Sequence, residues 1–449
     1  MTTVRFQAGA MAIFCLLAAP ATAQDEARRV DGDTGKRIAK YVEGAAAFGF
    51  TGSVLAARDG KVVAALGVGS ADLEGKIGND ARTLFELASV TKQFTAAAML
   101  VLVQQGKVKL DDPIHEHLPG VPEDCRGITV RQLLQHTSGI PGTNGRGSGD
   151  DLAAVLPTFL EGGPRHPPGT HWEYWNQGYS LLAAIVERTS GGSYATFCVQ
   201  QLFAKAGAAT ACFTGDKAPD DVVVAIGRAW RGEPRAALAH PYGSYGYQYR
   251  GMGGAVASVW DLWHWDRALR GDVVLNATSK QELFAPGLQD YALGWFVKQR
   301  DGRTVQQHGG SVRGFLCELR RYPDENGCVA VLCNRDDAPM GEVANGVEAL
   351  LFGARREVPA PLSATVGAEL LGTWQADGGK LVVERHDDRL RARIEWAERL
   401  PLTRGHLVGG TVATAKFFDW HESLPLEVER APAGTITALR LVGQRFARQ

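Results

Sequence analysis

Apolar positions recur with two different periods along the chain, and each period predicts its own kind of element. Spacing of three to four residues predicts helices over Lys36–Phe48, Ser89–Gln105, Thr129–His136, Asp151–Leu160 and Asn176–Thr189. β-rich arms on both sides of Arg58-Asp59-Gly60 predict a hairpin over Gly52–Gly69. Further strands are predicted at Tyr291–Gln299, Gly314–Arg321 and Cys328–Asn334, and a closing helix runs to Phe352.

The order of these elements predicts the layout of the first domain. Strands lie at both ends of the region and helices lie between them, which favours one sheet whose first and last strands are neighbours. Ser258 and Asp261 form a capping box pattern that opens another helix.

The pattern changes after the closing helix. Ala354–Pro361 is rich in proline and charge, and beyond Leu370 apolar and polar residues alternate as in an all-β segment. We therefore expect a main domain over 24–353, a linker over 354–369, and a small β-barrel or β-sandwich domain over 370–449.

The first residues are typical of a secretory signal peptide. Arg5 precedes an apolar run over Ala8–Ala19, and the small residues Ala21-Thr22-Ala23 follow it. The pattern predicts a signal peptide at 1–23, cleaved near Ala23, and a mature protein that is periplasmic or secreted. Later segments are not apolar enough to predict a permanent membrane span.

The net charge and the cysteines of the chain limit the classes of function that it can have. The formal net charge of the 449-residue chain is -1, so nothing favours a nucleic-acid partner. Cys317 and Cys333 face each other across a predicted hairpin, as a disulfide or as two free thiols, and the usual burial of cysteine favours the thiols. The triplet His115-Glu116-His117 lies between two prolines without further ligands. We expect no metal and no organic cofactor.

Ser89 and Lys92 are the first candidates for catalysis. At a spacing of three residues they share one face of an apolar helix, so the lysine amine can reach the serine hydroxyl. Burial lowers the pKa of a lysine, and a neutral amine can remove the serine proton. Taken alone, this spacing is better explained by a helix-capping serine followed by an ordinary surface lysine.

Two further motifs favour the catalytic interpretation of Ser89 and Lys92. Ser89-Val90-Thr91-Lys92, Tyr174-Trp175-Asn176 and His308-Gly309-Gly310 occur in this order, framed by Ile128–Ile140 and Gly251–Leu269. With these motifs the chain from about Lys36 to Phe352 resembles the serine β-lactamase and penicillin-binding protein superfamily, in its class C β-lactamase, DD-peptidase and esterase branch. The resemblance implies a mixed α/β fold, with a central antiparallel sheet flanked by helices and a helical subdomain.

The resemblance also implies a role for each motif residue. Ser89 would be the nucleophile, Lys92 its base, and Tyr174 the group that passes a proton to the leaving group. Asn176 would hold a substrate amide or carbonyl group. His308, Gly309 and Gly310 would lie on the last strand facing the nucleophile, and the backbone N–H groups of Ser89 and Ser311 would form the oxyanion hole. Arg313 would either bind a substrate carboxylate or form a structural ion pair.

Departures from the family pattern bear on the substrate. His308 replaces the lysine typical of β-lactamases, and a histidine can be neutral near pH 7. Trp175 predicts a bulkier pocket wall. His136 is expected to fix a loop by hydrogen bonding, and the aromatic run Tyr242–Tyr249 fits a cleft lining and core packing equally.

These observations predict an exported serine hydrolase that acts on a small ester, amide or peptide substrate, as an esterase or D-peptidase. One alternative is a β-lactamase with true penicillin or cephalosporin turnover. Another is a non-catalytic sensor or scaffold that recognises penicillin. The sequence leaves the natural substrate and the oligomeric state open.

Overall fold

The computed structural model describes residues 26–142, 149–230, 232–356, 360–386, 388–396, 403–418 and 423–448. The predicted signal peptide lies outside these ranges. The strands of the main domain are β1 (Arg29–Val30), β2 (Gly52–Arg58), β3 (Lys61–Val68), β4 (Phe85–Glu86), β5 (Cys212–Phe213), β6 (Ile226–Gly227), β7 (Arg235–Ala236), β8 (Ala255–Ala257), β9 (Phe296–Arg300), β10 (Arg303–Val312), β11 (Phe315–Tyr322) and β12 (Gly327–Cys333). The helices are α1 (Gly32–Ala45), α2 (Lys92–Gln104), α3 (Val130–Leu134), α4 (Leu152–Phe159), α5 (Asn176–Ser190), α6 (Tyr194–Cys198), α7 (Ala204–Ala206), α8 (Val259–Arg270), α9 (Ala277–Leu283) and α10 (Met340–Leu351).

The main sheet is antiparallel, with the strand order β1-β3-β2-β12-β11-β10-β9. The predicted pairing of first and last strands is confirmed, because β2 of the hairpin pairs with β12, with Val54 opposite Val331. The strand predicted from Tyr291 begins only at Phe296. Tyr291–Trp295 form a buried loop instead, in which the Ala292 N–H donates to the Trp295 carbonyl at 2.7 Å.

Strand β10 carries His308 and was not found by periodicity. Its sequence, RTVQQHGGSV, has a polar or glycine residue at most positions, so no alternating apolar signal marks it. The expectation that His308 lies on the last strand is wrong, because β10 lies between β9 and β11 and two further strands of the main sheet, β11 and β12, follow it in the chain.

The sheet separates two apolar cores. Helices α1 and α10 cover one face, where Ile38, Val42 and Val347 are buried. The larger core lies on the other face, around α2, α5 and α8. Helix α2 is buried on all sides over Lys92–Leu102, so its position in the middle of this core removes water from its first residue, Lys92.

The favoured prediction for Cys317 and Cys333, two free thiols and not a disulfide, is confirmed. Cys333 lies opposite Leu316 and Cys317 lies opposite Leu332, so the two cysteines differ by one step in register. Successive side chains of a strand point to opposite faces of the sheet. Accordingly Cys317 packs in the larger core and Cys333 in the smaller one, and both are free thiols.

The C-terminal segment forms a closed barrel, the first of the two predicted forms. Its strands are β13 (Gly372–Ala376), β14 (Gly379–His386), β15 (Arg389–Trp396), β16 (Thr403–Val408), β17 (Lys416–Phe418), β18 (Ser423–Arg430), β19 (Ile436–Leu441) and β20 (Gln444–Arg448). Trp374, Phe417 and Phe446 lie in its apolar core. Phe48 of the main domain packs against Phe418, with ring centroids 5.2 Å apart. Within the described ranges, no helix has the length and apolar character needed to cross a membrane.

Candidate active site

Ser89 lies in a short 3₁₀ helix, Ala88–Thr91, that leads directly into α2. The preceding Ala88 is buried and has a φ of 44°, a left-handed conformation that costs energy for a residue with a side chain. Leu87 is held on both sides, because its N–H donates to the Ala255 carbonyl and its carbonyl accepts from the Cys317 thiol, each at 2.8 Å. The turn that presents Ser89 is therefore fixed from β8 and from β11.

Lys92 contacts Ser89 as its spacing predicts. Its Nζ lies 3.1 Å from Ser89 Oγ, 2.8 Å from Asn176 Oδ1 and 3.1 Å from the Met252 carbonyl oxygen. The side chain is 0% exposed, and burial holds the pKa of Lys92 well below its ordinary value. Among the described residues, none of the hydrogen-bond partners of this amine is a carboxylate. The ammonium form of Lys92 therefore has no negatively charged partner to stabilise it.

The three partners also orient the amine. Carbonyl oxygens only accept hydrogen bonds, so Asn176 Oδ1 and the Met252 carbonyl take up the two N–H groups of a neutral amine. In that neutral form the lone pair is left for the Ser89 hydroxyl, whereas the ammonium form donates to Ser89 Oγ. A base with its lone pair aimed at the hydroxyl is the arrangement that serine activation requires.

Tyr174 also contacts the nucleophile. Its ring centroid is 4.8 Å from Lys92 Nζ, and its hydroxyl is hydrogen-bonded to the Ser89 side chain. Burial raises the pKa of Tyr174 above its ordinary value, and the hydrogen bond to Ser89 opposes this only in part. The phenol is therefore protonated at neutral pH and can donate a proton.

His136 holds the loop that carries Tyr174. The Trp175 N–H donates to His136 Nδ1 at 3.2 Å, and the His136 and Tyr174 rings lie 4.3 Å apart. This geometry confirms the loop-fixing interpretation of His136. The expectation of a bulky pocket wall is wrong, because Trp175 is 1% exposed and its indole packs in the core over Gly178.

His308 is buried beside the nucleophile and carries no charge. Its Nδ1 lies 2.6 Å from the Gly309 carbonyl oxygen, which only accepts, so Nδ1 carries the proton and Nε2 accepts from the Tyr291 hydroxyl at 3.2 Å. The side chain is 3% exposed, and burial, with the nearby Lys92, lowers the pKa of His308 to about 3. His308 is therefore neutral not only near pH 7, as the sequence allows, but also well below the pH at which an ordinary histidine gains its charge.

Gly310, near the end of β10, lies next to the turn that presents the nucleophile. Gly310 lies against the Ser89 turn, since a Cβ placed there would be 2.3 Å from the Leu87 carbonyl oxygen and 3.1 Å from the Ser89 nitrogen. Pairing between β9 and β10 stops at Gln307, opposite Phe296, so β9 leaves the following edge of β10 unpaired. Ser311 and Arg313 are exposed along this stretch.

Most tyrosines of the run Tyr242–Tyr249 pack in the core, and one is exposed. The hydroxyls of Tyr245, Tyr247 and Tyr249 donate to the Gly253 carbonyl, Glu187 and Glu86 respectively, and these side chains belong to the core. Tyr242 is exposed. Most of the run therefore supports the Gly251–Gly254 segment, from which Met252 contacts Lys92.

Three contributors to the site were missed from the sequence. The Met252 carbonyl orients Lys92, the Tyr291 hydroxyl contacts Nε2 of His308, and the Cys317 thiol holds Leu87. The framing segment Gly251–Leu269 was the only available signal for the first of these, and no motif marks Tyr291 or Cys317. Among the described residues, no group of three or more His, Cys, Asp or Glu side chains is placed to hold a metal ion.

An antiparallel sheet between helical layers, with a Ser-x-x-Lys motif opening a buried helix, defines the β-lactamase and transpeptidase class of fold. The chain belongs to the Beta-lactamase family, whose model matches residues 37–352.

Relatives extend this likeness to most of the chain. It is 30% identical to penicillin-binding protein 4* of Bacillus subtilis over 395 residues, which is 79% of this chain and 86% of that protein. It is 31% identical to the putative penicillin-binding protein PbpX of Bacillus subtilis, covering 71% of this chain and 79% of the relative. The octameric penicillin-binding protein homologue of Pyrococcus abyssi has the same fold, with a TM-score of 0.63 at 23% identity, covering 93% of this chain and 100% of that one.

Proposed function

We propose that the protein is an exported serine hydrolase that forms an acyl-enzyme on Ser89 and cleaves esters or amide and peptide bonds, as an esterase or D-peptidase. The observation that carries the proposal is the orientation of Lys92. Its Nζ lies 2.8 and 3.1 Å from two carbonyl oxygens and 3.1 Å from Ser89 Oγ, so the amine in its neutral form can turn its lone pair to the Ser89 hydroxyl. Export rests on the signal peptide pattern at 1–23.

In the proposed reaction Lys92 takes the Ser89 proton while Oγ attacks the substrate carbonyl carbon. The backbone N–H groups of Ser89 and Ser311 stabilise the negative charge that develops on the carbonyl oxygen. Tyr174 gives its proton to the departing oxygen or nitrogen and recovers one from the Lys92 ammonium group. Water then attacks the ester on Ser89 by the reverse route, which restores the serine hydroxyl and releases the acid.

The neutral His308 favours substrates without a carboxylate beside the reacting carbonyl. Burial removes the positive charge that a lysine would offer there. This supports an esterase or D-peptidase over a β-lactamase. A D-peptidase also agrees with the fold shared with the D-amino acid amidase of Ochrobactrum anthropi, which has a TM-score of 0.62 at 21% identity over 72% of this chain and 100% of that one.

Labelling with a fluorescent penicillin and turnover of p-nitrophenyl butyrate test the proposal together. We expect mass addition on a peptide that contains Ser89, and loss of both signals in Ser89→Ala. Ser193→Ala is the matched control, because Ser193 also begins a helix but caps α6 away from the site. A folded Ser89→Ala protein with normal turnover would refute the mechanism. Labelling without turnover of any ester would instead identify a sensor or scaffold protein.

A further inference from the structure

The segment Gly251–Gly254, whose Met252 carbonyl contacts Lys92, has a backbone that its own side chains do not fix. Its sequence is GMGG, and Gly251 and Gly254 have φ values of 80° and 92°, a region that glycine occupies freely. Glycine also has more backbone conformations open to it than any other residue. The position of the Met252 carbonyl therefore depends on contacts from outside the segment.

Helix α2 supplies such a contact one turn beyond Lys92. Thr95 is 0% exposed, and its hydroxyl donates to the Gly251 carbonyl at 2.6 Å. That carbonyl belongs to the peptide bond that leads into Met252, whose own carbonyl oxygen lies 3.1 Å from Lys92 Nζ. Because residues three apart share a helix face, Lys92 and Thr95 hold two successive carbonyl groups of the segment from the same side of α2.

Tyr194, the first residue of α6, fixes the direction in which the Thr95 hydroxyl donates. The Tyr194 side chain is fully buried, and its hydroxyl lies 2.7 Å from Thr95 Oγ1. A hydroxyl has one proton, and a carbonyl oxygen only accepts. Since Thr95 gives its proton to the Gly251 carbonyl, the Tyr194 hydroxyl donates to Thr95. Tyr194, Thr95 and Gly251 therefore form a buried hydrogen-bonded chain with one direction.

This chain ends beside an amine that has only uncharged neighbours. Among the described residues, the titratable side chains that approach Lys92 are Tyr174, Tyr179, His136 and His308. Burial raises the pKa values of the two tyrosines and lowers those of the two histidines, so all four side chains are neutral near pH 7. A carbonyl oxygen that accepts from Nζ stabilises the ammonium form more than the amine. The placement of the carbonyl groups therefore affects how readily Lys92 acts as a base.

We propose that Thr95 is a positioning residue for the base: its hydroxyl, held by Tyr194, fixes the peptide that aims the Met252 carbonyl at Lys92. The inference rests on the proposed function, because it assigns a further role in the same reaction. Thr95 lies outside the three sequence motifs, and its hydrogen bonds go to Gly251 and Tyr194.

Thr95→Val tests the proposal in the full-length protein, since valine has a similar shape and lacks the hydroxyl. Rates with p-nitrophenyl butyrate at pH 5 to 9, divided by the amount of protein that fluorescent penicillin labels at completion, give kcat and KM for active molecules only. We expect kcat to fall about 10- to 100-fold with little change in KM, as for a small misplacement of a catalytic group. The acid side of the kcat/KM profile should move to lower pH, because the ammonium form of Lys92 loses an acceptor.

Three further variants complete the test. Thr95→Ser keeps the hydroxyl and should restore both the rate and the pH profile. Thr83→Val is the matched control, because it removes a threonine hydroxyl that is equally buried but contacts Asp80, and it should leave both unchanged. Tyr194→Phe leaves the Thr95 hydroxyl in place, so it should change both in the same direction as Thr95→Val but by less.

The outcomes separate this inference from the proposed function. A folded Thr95→Val protein with the kcat and pH profile of the parent would overturn the role of Thr95 alone. So would a lower kcat without a shift of the acid side, since general damage to the fold gives that result. If Thr95→Val does not fold, parental values in Tyr194→Phe would overturn the role instead. A parent protein that turns over no ester would overturn the proposed function, and this inference with it.

Discussion

Lys92 couples protein stability to pH, because its ammonium form is penalised in the folded state only. Burial lowers its pKa in the folded protein, whereas the unfolded chain keeps the ordinary value of about 10.4. Between those two values the unfolded state binds one more proton than the folded state. The free energy of unfolding therefore rises with pH in that window, by at most about 1.4 kcal/mol per pH unit from this group. Below the folded pKa the penalty is complete and constant.

Lys92→Met should remove both the base and this pH dependence. We expect ester turnover to disappear, because Ser89 loses its only amine partner among the described residues. At pH 9 the variant should be less stable than the parent, since the Met252 carbonyl loses its partner, a cost of about 1–3 kcal/mol. As pH falls to 6, the parent should lose stability relative to the variant. Urea unfolding of both proteins at both pH values measures the difference in their free energies of unfolding. A difference that is the same at both pH values would contradict a buried, neutral lysine.

His308 gives a prediction about substrate choice. Because burial lowers its pKa to about 3, His308 stays neutral from pH 5 to 9 and offers no cation to a carboxylate. We expect nitrocefin to be hydrolysed far more slowly than p-nitrophenyl butyrate, with a ratio of kcat/KM values that shows no change near pH 6.5. Both rates should rise with pH as Lys92 loses its proton. Efficient nitrocefin turnover, or a ratio that falls near pH 6.5, would contradict this.

At the scale of elements, the approach of β10 to the Ser89 turn depends on Gly310. A Cβ there would meet the Leu87 carbonyl oxygen at 2.3 Å and the Cys317 sulfur at 2.6 Å, and neither can move freely. Gly310→Ala should therefore push β10 away from the turn, lower the free energy of unfolding by about 1–3 kcal/mol and reduce ester turnover.

Gly309→Ala is the matched stability control for this change. The nearest atom to a Cβ at Gly309 is the Cys317 carbonyl oxygen at 3.7 Å, an ordinary contact. We expect its urea midpoint to stay close to that of the parent protein. Equal destabilisation by both variants would show that the clash at Gly310 is not responsible, since the two sites differ in that contact.

Elements with one strong local signal were predictable from the sequence. Periodicity located α2 and α5, and the capping box at Ser258 and Asp261 is present at the start of α8. The spacing of Ser89 and Lys92 places the two side chains together because consecutive helical turns fix it locally. The three motifs then identified the family.

Features that depend on tertiary contacts were not predictable. Strand β10 is a strand because β11 pairs along it, although its own sequence lacks the pattern. The pKa of His308 follows from burial between Tyr291 and Phe296, which are distant from it in sequence. The Met252 carbonyl is a backbone group, and a motif that records side chains cannot show it.

At the scale of the whole molecule, the barrel contacts the main domain through a small apolar patch. Phe48 lies between the rings of His406 and Phe418, with centroid distances of 5.5 and 5.2 Å. Arg389 of β15 donates to the Ala47 carbonyl beside it. The Ser-x-x-Lys pair and its partners all lie before α10, so none of the barrel residues contacts the Lys92 amine.

A chain ended near Arg356 should therefore retain the reaction and lose part of its stability. Phe48, 2% exposed in the full-length protein, would face water, which costs roughly 1.5–3 kcal/mol for a phenylalanine side chain. We expect labelling by fluorescent penicillin and p-nitrophenyl acetate turnover to persist, with a lower urea midpoint. Phe48→Ala in the full-length chain separates the effects, since it weakens the patch but keeps the barrel. If the shortened chain folds but cannot be acylated, the barrel is part of the catalytic machinery, and the assignment of the reaction to the main domain is wrong.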